Sequence, residues 1–506
     1  MAIATLADNF VSLCISTSLN YYDGKARFIV EGQYTPIAGL AVPIVPDIAI
    51  KLNSVQDIDA MFAKGSVLAE GLRYAYTMCP SNVQIFALPR LDAASSVAAI
   101  YDLTITGPAT SIGTIDLYMV EANYSISVPV AVGDTVAIMA ANAAAMISAY
   151  FPYTVTATAT GLHFVAKNAG TIGNGFNVSV NWRGLRNQMP LGVTVGPLVA
   201  TTPGSIDPVA PNYAAALGEC CYTAYALLSS NLTWQRGMRD WIRSSWDCTK
   251  PQCFGHGYAY RSGTSGAIIA TFDNSAELSI LAVNAADLVP GWIRAVSYAA
   301  LSACNAIAHP ELNIQGTTSG LLTTIRQPSN CLRNWTVPEY KLLAAQGFVL
   351  DGPASQGGGY YTNPYIYNDV TEWLYDDLGR PNATFLNVSS RRLSAAIASS
   401  LAVQLASFNG LSAYVGQTKI GRGIFGTNKN LMYGSIVNWA KTQVGILFGD
   451  FSNITTDIVL TSDFDTSPAC QGIPGKFALM FKYRQPARIN NISVIMLPAA
   501  LDNCNR

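Results

Sequence analysis

The run Gly421-Arg-Gly423-Ile-Phe-Gly426 matches the glycine fingerprint of dinucleotide-binding sites letter for letter. In those sites a buried strand precedes the glycines, and the next helix presents its N-terminus to the pyrophosphate. Here the preceding residues 415–420 make a poor buried strand, and the pattern predicts that the following helix begins only near Asn428. The context therefore favours a loop over a nucleotide site.

Cys248, Cys253 and His256 are close enough in sequence to supply three zinc ligands, since thiolate and imidazole both suit zinc. A closed structural zinc site needs four ligands, and no clear fourth lies nearby in the sequence, although Cys220 or Cys221 could supply it after folding. The alternative is a loop thiol pair beside a polar histidine. We expect no metal and no cofactor.

The other two histidines are His163 and His309. His163 alternates with apolar neighbours in a strand-like run, and His309 lies at a predicted helix end, where a cation is favoured. Ser265 lies in a Ser-Gly-Thr-Ser-Gly run, which lacks the Gly-x-Ser-x-Gly spacing of a nucleophile turn. The Gly-rich run after Gln356 is followed by no Lys-Ser/Thr pair. We therefore expect no catalytic residue and no enzyme.

The composition points to a surface that other molecules cover. Of the 506 residues 12% are charged, 50% are hydrophobic and 25 are tyrosine, whereas ordinary soluble domains have roughly 25% charged residues. The net charge is −1 and the basic residues are scattered, which disfavours a nucleic-acid partner. Interface cores are depleted in charge and enriched in aromatic residues. The composition thus predicts assembly with neighbouring subunits.

The longest apolar run, residues 135–151, does not predict a membrane span because it is mostly alanine and contains Asn142 and Ser148. Asp134 stands where an N-cap belongs and Pro152 ends the run. The pattern predicts an amphipathic helix packed against the rest of the protein. We expect no membrane insertion.

The N-terminus has no basic segment followed by a long apolar stretch, so the sequence predicts no secretory signal and a protein kept in the cytoplasm. There its ten cysteines should be mostly reduced. We expect Cys220, Cys221, Cys14 and Cys304 to be ordinary small buried side chains.

The pattern of apolar residues predicts an α/β core interrupted by an α+β insertion. A strand-like run at 25–32, helices from Ser54 and Gly65 and a strand at 84–88 form a βαβ-like unit. Later helices are predicted at 213–229, 288–307, 337–346, 391–406 and 429–447, and strands at 278–283, 476–484 and 488–497. The predicted divisions are 1–22 (N-terminal arm), 23–100 (first part of the core), 101–195 (peripheral, mostly β insertion), 196–211 (linker), 212–380 (α/β core), 381–484 (C-terminal domain) and 485–506 (C-terminal arm).

Several segments, in this order and spacing, resemble Mu-like tail sheath proteins of contractile bacteriophages. They are 62–71 (Phe-Ala-Lys-Gly-Ser-Val-Leu-Ala-Glu-Gly), 82–89, 113–118, 132–135, the alanine-rich helix, 169–174 and 335–347 with Leu386-Asn387 after it. The Trp- and Cys-containing stretch 231–257 has no counterpart that we can match, so its role stays open.

The resemblance implies a subtilisin-like α/β core without a catalytic triad, assembled as stacked six-membered rings around an inner tail tube. It implies a virion protein that contracts to drive the tube through the host envelope, with baseplate and tail terminator proteins as further partners. The alternatives are a cytoplasmic α/β hydrolase or nucleotide-binding enzyme, and another virion protein such as a tube or receptor-binding protein.

The two ends of the chain are the predicted subunit interfaces, since the resemblance implies arms that add strands to neighbouring subunits. An unpaired strand exposes backbone donors and apolar side chains together. The interface residues predicted from the apolar pattern of the two arms are Phe10, Leu13, Ile15, Ile489, Ile492, Val494 and Met496. We also expect the insertion to lie outside the assembly and its deletion to be tolerated.

Overall fold

The structure is a computed structural model that describes residues 10–15, 26–40, 43–79, 83–183, 188–218, 220–246, 253–310, 312–328, 335–353, 361–382, 385–406, 412–413, 426–427, 429–443, 458–462 and 477–482. Its strands are β1 (Phe10–Ile15), β2 (Ala26–Gln33), β3 (Ile50–Leu52), β4 (Val83–Arg90), β5 (Ile100–Thr106), β6 (Gly113–Met119), β7 (Ile126–Val130), β8 (Tyr153–Thr158), β9 (Gly161–Ala166), β10 (Val178–Val180), β11 (Thr194–Thr202), β12 (Ala224–Leu227), β13 (His256–Gly263), β14 (Leu278–Asn284), β15 (Gln327–Pro328), β16 (Asp351–Pro353), β17 (Tyr361–Thr362), β18 (Pro364–Ile366), β19 (Ser412–Ala413), β20 (Gly426–Thr427), β21 (Ile458–Ser462) and β22 (Phe477–Lys482). Its helices are α1 (Val55–Met61), α2 (Val67–Met78), α3 (Val136–Met146), α4 (Tyr213–Leu217), α5 (Leu232–Ser245), α6 (Ser265–Ile269), α7 (Gly291–Ala308), α8 (Gly316–Ser319), α9 (Val337–Ala345), α10 (Val388–Ala406) and α11 (Lys429–Gln443).

A six-stranded sheet in the order β14-β13-β12-β2-β4-β3 forms the centre of the protein. All neighbouring pairs in it are parallel except β3 with β4. Parallel sheets are covered on both faces, so their strands are apolar without alternation. In β2, Phe28, Ile29 and Val30 are all buried. The α/β fold class predicted from the sequence is confirmed by this sheet and by the antiparallel sheets around it.

The two faces of the central sheet are covered by different helices. Phe28 and Val30 belong to the apolar cluster that includes α2 and α7. Ile29, between them, belongs to a second cluster that includes α4 and α5. The alternation follows from the two-residue period of a strand, which sends successive side chains to opposite faces. The predicted helices at 288–307, 337–346 and 391–406 are confirmed as α7, α9 and α10.

The helix predicted at 213–229 is wrong, because it divides into α4 and the central strand β12. Gly218 ends α4 with φ near +61°, a conformation that favours glycine at the C-terminus of a helix. The short apolar run that follows is buried on both faces of the sheet, and such a run cannot be told from a helical segment by its periodicity.

The unmatched stretch 231–257 contains α5, which the sequence analysis did not predict. Asn231 caps this helix by accepting hydrogen bonds from the backbone N–H groups of Thr233 and Trp234. Trp234, Met238 and Ile242, spaced four residues apart, are buried against the second face of the sheet. Their spacing was a usable helical signal. The first role of this stretch is therefore to cover the central sheet.

Between β4 and α4 the chain forms the insertion, which contains two antiparallel sheets. One has the order β10-β6-β7 and the other β11-β5-β9-β8. Strand β11 pairs with β5, so that Thr202 lies opposite Ile100, and an isolated bridge joins Val97 to Ser205. The stretch 196–211, predicted as a linker, thus begins with a strand of the insertion's own sheet.

The insertion shares one apolar cluster with the core, which changes what its removal would do. Tyr124 of the insertion donates a hydrogen bond to buried Glu70 of α2 at 2.8 Å, and the Val67 N–H donates to Asn168 Oδ1 at 2.9 Å. A side chain at Gly65 would lie 2.4 Å from the carbonyl oxygen of Phe151, so the two parts approach as closely as their backbones allow. Deletion of the insertion would uncover apolar surface of α2, and the expectation that it is tolerated stays a prediction.

Helix α3 differs in two respects from its prediction. Its N-cap is Thr135, whose side chain accepts from the Ile138 N–H, while Asp134 accepts from the Ala131 N–H instead. The helix was predicted as amphipathic, but its outward face is uncharged and largely apolar. None of the helices that the structure describes is long and apolar enough to cross a membrane.

A buried carboxyl group lies on the central strand β2. Glu31 is 1% exposed, and burial raises its pKa from 4.5 to about 7, although Arg90 and Tyr213 act in the opposite direction. The Tyr213 oxygen is 3.0 Å from Glu31 Oε2 and 3.1 Å from the Trp234 carbonyl oxygen. One hydroxyl proton cannot serve two acceptors fully, so a proton on Glu31 completes this network.

We expect Tyr124→Phe to lower the free energy of unfolding by about 1–2 kcal/mol, because it removes a hydrogen bond to a buried carboxyl group between insertion and core. Urea denaturation measures this change. The matched control is Tyr150→Phe, since the Tyr150 hydroxyl donates to the partly exposed Asp59 at 3.1 Å and should cost less. Equal losses in both variants would contradict the role given to the Tyr124–Glu70 contact.

We expect Glu31→Gln to stabilise the protein relative to the wild type increasingly as pH rises from 4.5 to about 7, the window set by the pKa of Glu31. The raised pKa means that the folded state holds the proton more tightly, so wild-type stability falls as pH rises through this window. The relative gain should reach about 3 kcal/mol, from 1.36 kcal/mol per pKa unit. Thermal unfolding across this pH range is the measurement, and a difference independent of pH would contradict the assignment.

Candidate functional site

The two ends of the described chain meet in one three-stranded sheet of order β1-β22-β21. Strand β1 pairs antiparallel with β22 from Phe10 opposite Lys482 to Ile15 opposite Phe477. Strand β22 also pairs antiparallel with β21, and α10 lies against β1. The N-terminal strand is therefore an edge strand of a sheet otherwise built from the C-terminal part of the chain.

Of the predicted interface residues, Phe10, Leu13 and Ile15 lie in β1, with Leu13 opposite Leu479. The other four, Ile489, Ile492, Val494 and Met496, lie outside the described residues. Within this single chain β1 adds a strand to its own C-terminal sheet. The prediction that it serves a neighbouring subunit stays a prediction.

The segment 16–25 that joins β1 to β2 sets how far β1 can reach. Ten residues span at most about 33–36 Å when fully extended. The backbone hydrogen bonds between β1 and β22 have the same geometry whether the two strands come from one chain or two. Exchange of β1 between copies would therefore need a neighbouring β22 within that reach.

The place where an open α/β sheet usually binds a ligand is filled in this protein. Such ligands lie outside the carboxyl ends of the strands where the strand order reverses, here between β2 and β12. Leu228, which follows β12, is fully buried at this point. A Cβ atom at Gly32 would lie 2.9 Å from the Cδ1 atom of Leu228, and a Cβ atom at Gly71 would lie 2.5 Å from it. Strand, helix and Leu228 are thus packed too closely to leave a crevice between them.

The insertion covers the same edge of the sheet. Gln33, the last residue of β2, donates through Nε2 to Asp92 Oδ1 at 2.6 Å and to the Ala169 carbonyl oxygen at 2.7 Å. The Ala169 N–H in turn donates to Asp92 at 2.8 Å. Burial raises the pKa of Asp92, against the effect of these hydrogen bonds. These contacts fix the insertion over the end of the strand.

The expectation that the cysteines are reduced, unlinked side chains is wrong for Cys221, which forms a disulfide with Cys253. The parallel pairing of β12 with β13 places Ala224 opposite His256. Each cysteine precedes its strand's paired residue by three positions, so their Cα atoms lie 4.9 Å apart. Neighbouring Cys220 is exposed rather than buried. The sequence alone could not predict this pair without the strand order.

The candidate zinc ligands do not form a described metal site. Cys253 is in the disulfide, and Cys248 lies outside the described residues. His256 is buried, and its Nε2 lies 2.8 Å from Ser279 Oγ, which itself donates to the Val370 carbonyl oxygen. Burial, with Arg391 and Arg392 nearby, lowers the pKa of His256 well below its usual value. Among the described residues there is no group of three or more His, Cys, Asp or Glu placed to hold a metal ion.

The other two histidines occupy the elements predicted for them. His163 lies in β9, with Nδ1 2.6 Å from Asp102 Oδ1 on the neighbouring strand β5. His309 is the C-cap residue of α7. The His163–Asp102 pair lies on an open face of the sheet, and His309 lies at the end of a helix. Neither histidine is part of an enclosed site.

The remaining chemical patterns are loops or lie outside the described residues. The Ser265 hydroxyl donates to Glu339 Oε1 at 3.1 Å. The Glu339 carboxylate also caps α9. Hydrogen bonds from Thr336 and Ser265 lower the pKa of Glu339. Residues 354–360 and 421–425 lie outside the described part, while α11 begins at Lys429, close to the position predicted after the glycine run.

The strongest buried charges, which the sequence analysis missed, are ion pairs inside the core. Arg261 of β13 donates to both oxygens of Glu372 at 2.7 and 3.2 Å. Burial raises the pKa of Glu372 to about 7, against the effect of Arg261. Arg294 pairs with Asp287 at 2.6 Å, and Arg392 pairs with Asp369 at 3.0 Å. Arg261 and Glu372 are 111 residues apart and Arg392 and Asp369 are 23 apart, so no local motif predicts these two pairs.

No model of a known protein family matches the chain. A curated relative, the Mu-like prophage FluMu tail sheath protein of Haemophilus influenzae, is 28% identical over 136 residues. The match covers 26% of this chain, and the chain spans about a quarter of the relative's length, 27%.

Three solved structures align with most of the chain at low identity. A sheath tail protein of Desulfitobacterium hafniense has a TM-score of 0.44 and 13% identity, over 88% of this chain and 92% of that one. A sheath tail protein of Listeria innocua has a TM-score of 0.43 and 10% identity, over 87% and 89%. A chain of the anti-feeding prophage baseplate has a TM-score of 0.46 and 10% identity, over 96% and 95%. The curated relative confirms the resemblance to a Mu-like tail sheath protein that the sequence motifs indicated.

Proposed function

We propose that this chain is a structural subunit of a contractile phage tail sheath. In this proposal copies of the chain polymerise as stacked six-membered rings around an inner tail tube. Contraction of the sheath drives the tube through the host envelope and so serves DNA ejection. The partners are other copies of the chain, the tube protein, the baseplate and the tail terminator. The protein is made in the bacterial cytoplasm and ends in the virion.

The observation that carries this proposal is the pairing of β1 with β22. An edge strand on a ten-residue connection can be given to the sheet of a neighbouring copy with every hydrogen bond of the pair kept. A ring or a helix of copies can then be linked throughout by the same exchange. The exchange uses the same edges of β1 and β22 that already pair within a single chain.

The proposed mechanism of contraction also follows from this connection. A β1 strand donated to a neighbour stays paired while the two core domains change their relative orientation. The lattice then keeps its connections while the contacts between cores change from one packing to another. Two alternative packings of the same interfaces supply the work, so the change uses no nucleotide.

The filled edge of the central sheet supports a structural role over the enzymatic alternative. Leu228 and the insertion lie where a hydrolase or nucleotide-binding enzyme of this class would bind its substrate. The glycine fingerprint that suggested a nucleotide is followed by a helix that begins at Lys429, three residues after its last glycine. A helix N-terminus placed there does not meet a pyrophosphate held by the glycines.

We expect the purified chain to form hollow, wide cylinders in negative-stain electron microscopy, and truncation after Tyr483 to abolish them while leaving a soluble, folded core. Loss of the strand that the sequence predicts at 488–497 would remove a run of intersubunit backbone hydrogen bonds, each worth roughly 0.5–1.5 kcal/mol. Val494→Asp should act like the truncation, whereas Asn491→Asp, on the other face of the predicted strand, should not.

Sedimentation separates these outcomes for each variant. Long cylinders of normal stability from the truncated chain would mean that the C-terminal arm is not a connector. Monomeric wild-type particles with a measurable hydrolase activity would contradict the proposed function itself.

We expect the double variant Ser12→Cys/Met480→Cys to form disulfides between chains once it has polymerised. The two positions lie opposite each other in the β1–β22 pair, and opposite residues of an antiparallel pair are close enough for a disulfide. A ladder of covalent oligomers on a non-reducing gel is the expected result. The two single variants are the controls for the native cysteines, and a double variant that stays at the monomer position would contradict strand exchange.

A further inference from the structure

Helix α3 of the insertion presents an uncharged surface to its surroundings. Its inner face, Met139, Ala140 and Ala143, is buried. Its outer face includes Ile138 and Met146, which are 45% and 46% exposed. The 27 residues from Thr135 to Gly161 contain no Asp, Glu, Lys, Arg or His. Apart from Asn142 the helix is apolar all round, which is typical of a helix that is covered on all sides.

Strand β8 continues this surface. It is an edge strand of the sheet β11-β5-β9-β8, and α3 packs against it. Its sequence, Tyr-Thr-Val-Thr-Ala-Thr, has strong strand preference and contains no charge, no proline and no bulge. Edge strands that must stay unpaired normally carry a charge, a proline or a bulge that prevents pairing. The opposite edge strand, β11, has two irregularities in its pairing and contains Pro197.

A cluster of exposed apolar side chains lies at the N-terminal end of α3. Val132 is 64% exposed, Ile112 78% and Leu191 70%. Their loops are joined by backbone hydrogen bonds, from Gly133 to Ala109 at 2.8 Å and from Thr110 to Leu191 at 2.7 Å. Monomeric proteins rarely expose large contiguous apolar patches, and larger ones mark contact sites.

We propose that the outer face of α3 and the edge of β8 together form a contact between two copies of this chain, made through their insertions. This inference rests on the proposed function and adds a second interface to the terminal strands. It differs from the expectation that the insertion lies outside the assembly and that its deletion is tolerated.

The charge pattern identifies the partner as a second copy. A nucleic acid or an anionic membrane surface is bound by basic side chains, and neither α3 nor β8 contains one. Two identical neutral surfaces meet without like-charge repulsion, whereas identical charged surfaces repel. Strand β8 can also pair with an identical strand, because Thr and Val tolerate each other as cross-strand neighbours. In a polymer every copy brings the same surface to its neighbours.

The first test introduces charge at the contact in the full chain with Ile138→Glu/Met146→Glu. Both side chains are half-exposed, so the monomer should keep its circular dichroism spectrum and thermal midpoint. The protein concentration needed for polymerisation should rise by about tenfold or more, because burying unpaired charge costs more than about 1.4 kcal/mol. The matched control is Val199→Glu/Thr201→Glu on β11, the opposite edge of the same sheet, which should polymerise like the wild type.

The second test identifies the occupant of the surface. A photoreactive residue replaces Ala141, on the outer face of α3, and polymers are formed from an equal mixture of ¹⁴N- and ¹⁵N-labelled chains. Linked peptides that contain both isotopes support a contact between copies. Links confined to one isotope would mean that a segment of the same chain covers α3, and this result would overturn the inference. Links to another tail protein in assembled particles would also overturn it.

These results separate the inference from the proposed function. If the wild type and the Ile138→Glu/Met146→Glu variant form the same cylinders at the same concentration, the α3 contact is absent and the sheath function stands. If the wild type forms no cylinders, the proposed function fails and the inference fails with it.

Discussion

A parallel sheet has no face that can be left to water, and this constraint governs the architecture of the chain. Strand β2 is buried on both sides, so α2 and α7 must cover one face and α4 and α5 the other. The carboxyl edge of the sheet also has to be covered. In this protein Leu228 fills the carboxyl edge between β2 and β12, and the insertion covers that edge. An enzyme with such a sheet keeps this edge open to bind its ligand.

The insertion is therefore an extension of the core rather than an appendage. Tyr124 reaches buried Glu70, and Asn168 receives the first helical N–H of α2. With its inner side committed to the core, only its outer side remains for contacts with other molecules. The neutral surface of α3 and β8 lies on that outer side, and the terminal sheet of β1, β22 and β21 offers a separate means of connection. The two proposed assembly surfaces are thus separate parts of the chain.

The sequence predicted elements whose signal is local. The 18 residues of α7 and the apolar run of β14 lie within a few residues of their predicted limits. The sequence misassigned β12, since a short apolar run buried on both faces has no period to distinguish strand from helix. It could not give the Cys221–Cys253 disulfide or the Arg261–Glu372 pair, because both depend on which strands lie side by side. The terminal arms were predicted as strands, and β1 is a strand. The strand that pairs with β1 in an assembly depends on the neighbouring copies, so no local sequence pattern can predict it.

Strand β1 is proposed to connect copies of the chain, and a helical cryo-electron microscopy reconstruction of the polymer would show directly whether it does. We expect density for residues 16–25 that crosses from one copy to the next, with β1 paired to the neighbour's β22. Density that returns β1 to the C-terminal sheet of its own chain, in a polymer held together by other contacts alone, would contradict it.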